Sequence, residues 1–151
     1  MNYEEKIQSL RLTLPSPPKP VGSYQPVTYA KGLAFLSGQV SKSSDGKVLA
    51  GKVGLDLTLD QGREAARLAA LNVISIIQNL VGFDRFEKIV RVVGYVQTAP
   101  NFYDISQVVN GASDLFIEVF GDKGVHARSS LGMAGLPLNA AVELEVTLEI
   151  R

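Results

Sequence analysis

Residues 141–151 constrain this chain most, because they alternate without exception: Val142, Leu144, Val146, Leu148 and Ile150 fall on one face of an extended strand, and Glu143, Glu145, Thr147 and Glu149 on the other. Such a strand belongs in a sheet with one face on a core and the other turned away from it. Residues 88–97 read differently. The run Ile89-Val90-Arg91-Val92-Val93-Gly94-Tyr95-Val96 is apolar on both faces, so both sides of this strand need cover.

Two helices supply cover on one side. Thr58-Leu59-Asp60-Gln61 has the Thr-x-x-Gln spacing of a capping box. Ala65, Ala69, Val73, Ile76, Ile77 and Leu80 then recur at helical spacing, and Gly82 stands where a left-handed cap is wanted. Phe102, Ile105, Val109, Ala112 and Phe116 predict a second helix within 101–120, weakest at Asn110-Gly111. Tight turns at Lys31-Gly32 and Asp45-Gly46 predict three short strands before residue 50, the middle one best buried. Another strand is expected over 128–133, and Leu136-Pro137 turns the chain into the last one. At the start, Ile7, Leu10 and Leu14 share one side of a short helix that stops at Pro15-Ser16-Pro17-Pro18-Lys19-Pro20. Residues 1–20 are expected to be an arm and residues 21–151 one domain.

This order predicts an α+β two-layer sandwich, a mixed sheet with two helices on one face. The simplest cover for the other face is a second copy of the chain.

Composition narrows the function classes. Fifteen Lys+Arg balance fifteen Asp+Glu, which argues against a nucleic-acid footprint. The absence of cysteine excludes a disulfide scaffold, a thiolate nucleophile and a cysteine zinc site, and a single histidine cannot form a histidine-rich metal site within one chain. Neither a signal peptide nor a membrane span is read at the amino terminus, so cytoplasmic residence is the expectation.

Among polar residues, Arg128 follows a glycine-containing loop and stands at the start of a strand, where a guanidinium can read a carboxylate or a phosphate in a bidentate fork. Its alternatives are a surface arginine or half of a structural ion pair. Glu143 could orient or deprotonate a water, and the Leu136-Pro137 turn suggests that it approaches the same cleft; the alternative is a solvated glutamate. Tyr24 offers a hydroxyl on an apolar ring but also suits a core or an interface. His126 reads as structural. Asn110 could serve a ligand or the helix surface, and Ser37-Gly38-Gln39 lacks the glycines and helix of a nucleophile elbow or phosphate loop.

Several of these residues recur together in a known pattern. Ala127-Arg128-Ser129-Ser130, then Leu136-Pro137, then Val142-Glu143-Leu144-Glu145 resemble, in order and spacing, the signature of the YjgF-like family, also called RidA-like (reactive-intermediate deaminase) or L-PSP. Val21-Gly22-Ser23-Tyr24, Leu36-Ser37-Gly38-Gln39, Ala65-Ala66 with Asn72, and Val109-Asn110 are similar to the family as well, so the resemblance runs from about Pro20 to the end. It implies a chorismate-mutase-like sandwich, a homotrimer around a central barrel with ligand clefts between subunits, and hydrolysis of enamines and imines such as 2-aminoacrylate to 2-keto acids and ammonia without metal or cofactor. It also implies that Arg128 holds the carboxylate of a small metabolite and Glu143 the attacking water. Tyr24 would close the pocket from a neighbouring subunit, while Ser37, Gly38, Asn110 and Ser130 would line it. A non-catalytic carboxylate-binding trimer and an endoribonuclease are the alternatives. The long arm, an extended loop expected over 111–125 and Leu131-Gly132-Met133 in place of a branched run mark a divergent subgroup.

Overall fold

A computed structural model describes residues 1–19 and 22–151. Pro20 and Val21, and with them the expected boundary between arm and domain, lie outside the described residues.

The chain forms α1 (Tyr3–Ser9), β1 (Val27–Ala30), β2 (Leu33–Val40), α2 (Leu59–Ile76), β3 (Phe86–Gln97), α3 (Ile105–Phe120), β4 (Ala127–Met133) and β5 (Val142–Ile150). The five strands lie in the order β1-β2-β5-β3-β4. Only β3 and β4 pair in parallel; the remaining pairs are antiparallel. The carboxy-terminal strand therefore sits at the centre of the sheet, which its alternation suits: Val142, Leu144, Val146, Leu148 and Ile150 are all buried against the helices.

The turn chemistry behaves as the residue types demand. Lys31 and Gly32 both take positive φ in the two-residue hairpin between β1 and β2. The third strand expected before residue 50 is reduced to one bridge, Lys42 with Val48, around the Gly46 turn. It finds no sheet edge because β5 already occupies the free side of β2.

Helix α2 starts on the capping box: the Thr58 hydroxyl accepts from the Gln61 amide at 3.2 Å, and the Gln61 side chain accepts from the Thr58 amide at 2.8 Å. A π-turn, Ile77–Val81, follows and ends at Gly82, whose φ is +91°. The buried face of α2 is rich in alanine (Ala65, Ala66, Ala69, Ala70), which lets it lie close to the sheet and to α3. Gly111, the weak point of α3 as read from sequence, makes that closeness possible: a Cβ there would strike the backbone carbonyl of Arg63 on α2.

One expectation needs correcting. The stretch 111–125 is not an extended loop; its apolar residues Ala112, Leu115, Phe116, Val119 and Phe120 continue α3 into the core, and one 3-10 turn, Gly121–Gly124, completes it. The amino-terminal arm is docked. Tyr3 packs edge-on against Phe83, Phe86 and Phe120 with centroids 5.1–5.9 Å apart, and Ile7 is buried in the same core. No helix among the described residues is long and apolar enough to cross a membrane.

Candidate functional site

Position along a strand decides which side of the sheet each candidate faces. A Cβ on Gly94 of β3 would meet Val109 of α3, so Gly94 faces the helices, and so does Arg128, whose guanidinium bonds to α3. Nη1 of Arg128 donates to Asn110 Oδ1 at 2.8 Å and to Ser113 Oγ at 3.1 Å, and Nη2 donates to the Ser106 carbonyl at 3.4 Å. These bonds use three of the five N–H groups, all on neutral acceptors. No carboxylate pairs with Arg128 among the described residues. A half-buried cation with neutral supports and unspent donors is complementary to an anion.

Behind it lies a feature with no motif in the sequence. His126 Nδ1 is 2.6 Å from the Gly124 carbonyl, and its Nε2 is 2.9 Å from Ser113 Oγ. Burial first, then the nearby Arg128 charge, hold His126 below its ordinary pKa against the opposing pull of the Gly124 carbonyl. Ser130, level with Gly94 and two residues beyond Arg128, keeps its buried hydroxyl without a partner among the described residues. Leaving a buried hydroxyl unpaired costs about 1–3 kcal/mol.

The second group of candidates lies elsewhere. Glu143 and Glu145 alternate with the buried residues of β5 and face away from the helices. A Cβ on Gly38 would come within 2.7 Å of Glu143 Oε1, so this glycine lets the carboxylate lie over β2 in its present position. Burial, and secondarily the charge of Glu145, push Glu143 above the usual carboxylate range. Glu145 accepts from the Tyr95 hydroxyl at 2.7 Å, which raises the tyrosine pKa. Ser37 donates to the Gln25 carbonyl at 2.6 Å, tying β2 to the segment that carries Tyr24. Tyr24 is 63% exposed, which removes the core reading for it. Tyr24, Ser37 and Gly38 line a cleft of about 530 Å³ together with Lys19, Lys42 and Asn72.

Arg128 and Glu143 do not meet within one chain. Arg128 is level with Val92 and, through it, with Val146, three residues along β5 from Glu143 and with β3 between them. The two side chains also leave opposite faces of the sheet, so the turn at Leu136-Pro137 cannot bring them to one cleft. The seven candidates instead fall into two separate groups, Arg128 with Asn110 and Ser130 on the helix face, and Glu143 with Gly38, Ser37 and Tyr24 away from it.

Comparison with known proteins agrees with this architecture. The family model described as "YjgF/chorismate_mutase-like, putative endoribonuclease" matches residues 4–149. The chain belongs to the YjgF/chorismate-mutase-like family. It is 38% identical to Protein TCP17 of Trypanosoma cruzi over 95% of this chain and 91% of that one. It is 30% identical to a RutC family protein of Aquifex aeolicus over 87% and 92% respectively. A crystal structure of "a putative endoribonuclease" from Shewanella oneidensis superposes with a TM-score of 0.91 at 30% identity, covering 99% of each chain. The YjgF/chorismate-mutase-like match begins at residue 4, within α1.

Within that YjgF frame, sequence reasoning missed Ser113 and Ser106 beside Arg128 and the link of His126 to Ser113. Only one cue was available: Ser113 follows Asn110 by three residues, so the two share a face of α3.

Proposed function

We propose that the protein hydrolyses small reactive enamines and imines bearing a carboxylate, of the 2-aminoacrylate type, to a 2-keto acid and ammonia, in clefts formed where the two half-sites of neighbouring subunits meet in a homotrimer. Arg128 carries this reading: its guanidinium is half-buried, held by Asn110, Ser113 and the Ser106 carbonyl, and has N–H groups left over for a carboxylate. The chemistry asks little else. The imine tautomer is already electrophilic at the carbon bearing nitrogen. Glu143 takes a proton from water as the oxygen bonds to that carbon and passes it to the nitrogen, giving the carbinolamine; it then takes the proton of the new hydroxyl and delivers it to the nitrogen as the carbon–nitrogen bond breaks, so that the carbonyl forms and ammonia leaves. Burial and the charge of Glu145 raise the pKa of Glu143, which strengthens it as a base toward water. The unpaired Ser130 hydroxyl is a further donor on the Arg128 side.

The test is release of 2-keto acid from freshly generated 2-aminoacrylate. Wild-type protein should accelerate it, and both Arg128→Ala and Arg128→Lys should lose most of the effect, because an ammonium cannot reproduce the planar fork. Equal rates with and without protein would sink the catalytic reading.

A carboxylate-binding trimer without turnover is the second reading. It is favoured by the separation of Arg128 from Glu143 within a chain, and saturable binding of 2-ketobutyrate without hydrolysis would select it. The endoribonuclease named for the Shewanella relative is the least supported here, since fifteen acidic residues cancel fifteen basic ones and phosphate contacts normally supply most RNA affinity.

A further inference from the structure

The chain Gly124–His126–Ser113–Arg128 is connected by hydrogen bonds from end to end, and its directions can be assigned. A carbonyl can only accept, so the 2.6 Å contact with Gly124 places the proton of neutral His126 on Nδ1. Nε2 is then an acceptor and takes the hydrogen of the Ser113 hydroxyl at 2.9 Å. With its only hydrogen committed, Ser113 Oγ presents lone pairs to Arg128 Nη1 at 3.1 Å, and Asn110 Oδ1 takes the other Nη1 hydrogen. With the Ser106 carbonyl on Nη2, the donors left over are Nε–H and one Nη2–H.

We propose that Ser113 and neutral His126 are positioning residues for Arg128, orienting the guanidinium so that Nε–H and one Nη2–H remain available to a carboxylate, and that protonation of His126 undoes this orientation. The role in ligand binding rests on the reading of Arg128 as a carboxylate clamp; the orientation itself does not.

Geometry supports the second half of the proposal. An imidazolium would donate from Nε2 to the same serine oxygen that receives Arg128, leaving the hydroxyl hydrogen without its acceptor and placing two cations around one atom. Around His126, Phe116 of α3 presents a ring edge 6.0 Å away. Of the charged side chains on the adjoining elements, Lys123 of the preceding turn pairs with Glu87 of β3, Asp114 of α3 with Arg63 of α2, and Arg91 of β3 donates to Ser129. Asp122 in the same turn is exposed. Arg128 is the one charge that shifts His126, and it acts with burial in favour of the neutral form.

The test exploits the single histidine of the sequence, which makes its nitrogen resonances unambiguous. Long-range ¹H–¹⁵N spectra of the full-length protein should show Nδ1 protonated and Nε2 bare at neutral pH, and Arg128 side-chain signals should change as His126 titrates. Ser113→Ala should release those arginine signals and weaken 2-ketobutyrate binding about tenfold, the scale of one ordinary hydrogen bond. His126→Gln, which keeps an acceptor oxygen for Ser113 but cannot titrate, should retain affinity and lose its decline in acid, whereas His126→Phe should lose affinity at every pH. An Nε2-protonated tautomer, or Arg128 signals indifferent to Ser113→Ala and to the titration of His126, would overturn the proposal. Lack of 2-ketobutyrate binding by the wild type, with the tautomer and the arginine response as expected, would count against the clamp alone.

Discussion

At the scale of single residues, the electrostatics of β5 make a directional prediction. Glu143 is raised above its ordinary pKa by burial first and by Glu145 second. A carboxyl raised on folding binds its proton more tightly in the folded chain, so across the window between its ordinary and raised values the folded state holds more protons than the unfolded one. Stability from this group therefore falls as pH rises through that window, while its basic form, and with it the proposed hydrolysis, gains. Glu145→Gln removes the like charge but keeps an oxygen for the Tyr95 hydroxyl. The acid limb of kcat/KM against pH should move to lower pH in this variant, and an unmoved limb would mean that Glu143 is not the base. Arg128 illustrates how much of a residue's role lies in its neighbours: its identity and place in the signature were visible in the sequence, but the neutral acceptors that leave it unpaired come from α3.

At the scale of elements, the fit between α2 and α3 is decisive. Substituting Gly111 by alanine would gain about 1 kcal/mol of helix propensity. The added methyl, however, would meet the Arg63 backbone, which cannot rotate away as a side chain could, and overpacking of that kind costs about 1–3 kcal/mol. A net loss of stability is expected in chemical denaturation, with Asn110 shifted and 2-ketobutyrate binding weakened alongside, since residue 110 supports Arg128. Thr58→Ala is the comparison: it should cost about 1 kcal/mol through the lost capping box without affecting that binding. The helices were legible because caps and periodicity are local properties. The extended loop expected over 111–125 came from the resemblance, as a mark of a divergent subgroup, and not from the local pattern; that stretch is helix to Phe120, with Gly111 permitting close packing against α2 that repays the propensity it loses.

At the scale of the whole molecule, the two half-sites give the trimer reading a functional test. If Arg128 of one subunit works with Glu143 of the next, Arg128→Ala and Glu143→Gln proteins should each be inactive alone. Refolded together in equal amounts, they should regain about a quarter of the wild-type sites by random assortment. No recovery, with mixed assemblies demonstrated by mass, would place both residues' action within one subunit. The open sheet face is also more mixed than the sequence suggested: Val93 and Leu131 share it with Arg91, Glu145 and Tyr95, so any partner must satisfy polar groups as well as cover apolar ones.

By itself the sequence determined the local elements: the alternation of β5, the capping box of α2, the hairpin at Lys31-Gly32, and the spacing of the signature that carries Arg128 and Glu143. Those are properties of neighbouring residues, and short-range sterics and hydrogen bonding settle them. Only the tertiary structure decided that β5 lies at the centre of the sheet, that Arg128 and Glu143 leave opposite faces, and that Ser113 and His126 stand behind the guanidinium. Strand order and inter-element contacts are set by how the buried faces fit together, and no local pattern encodes that fit.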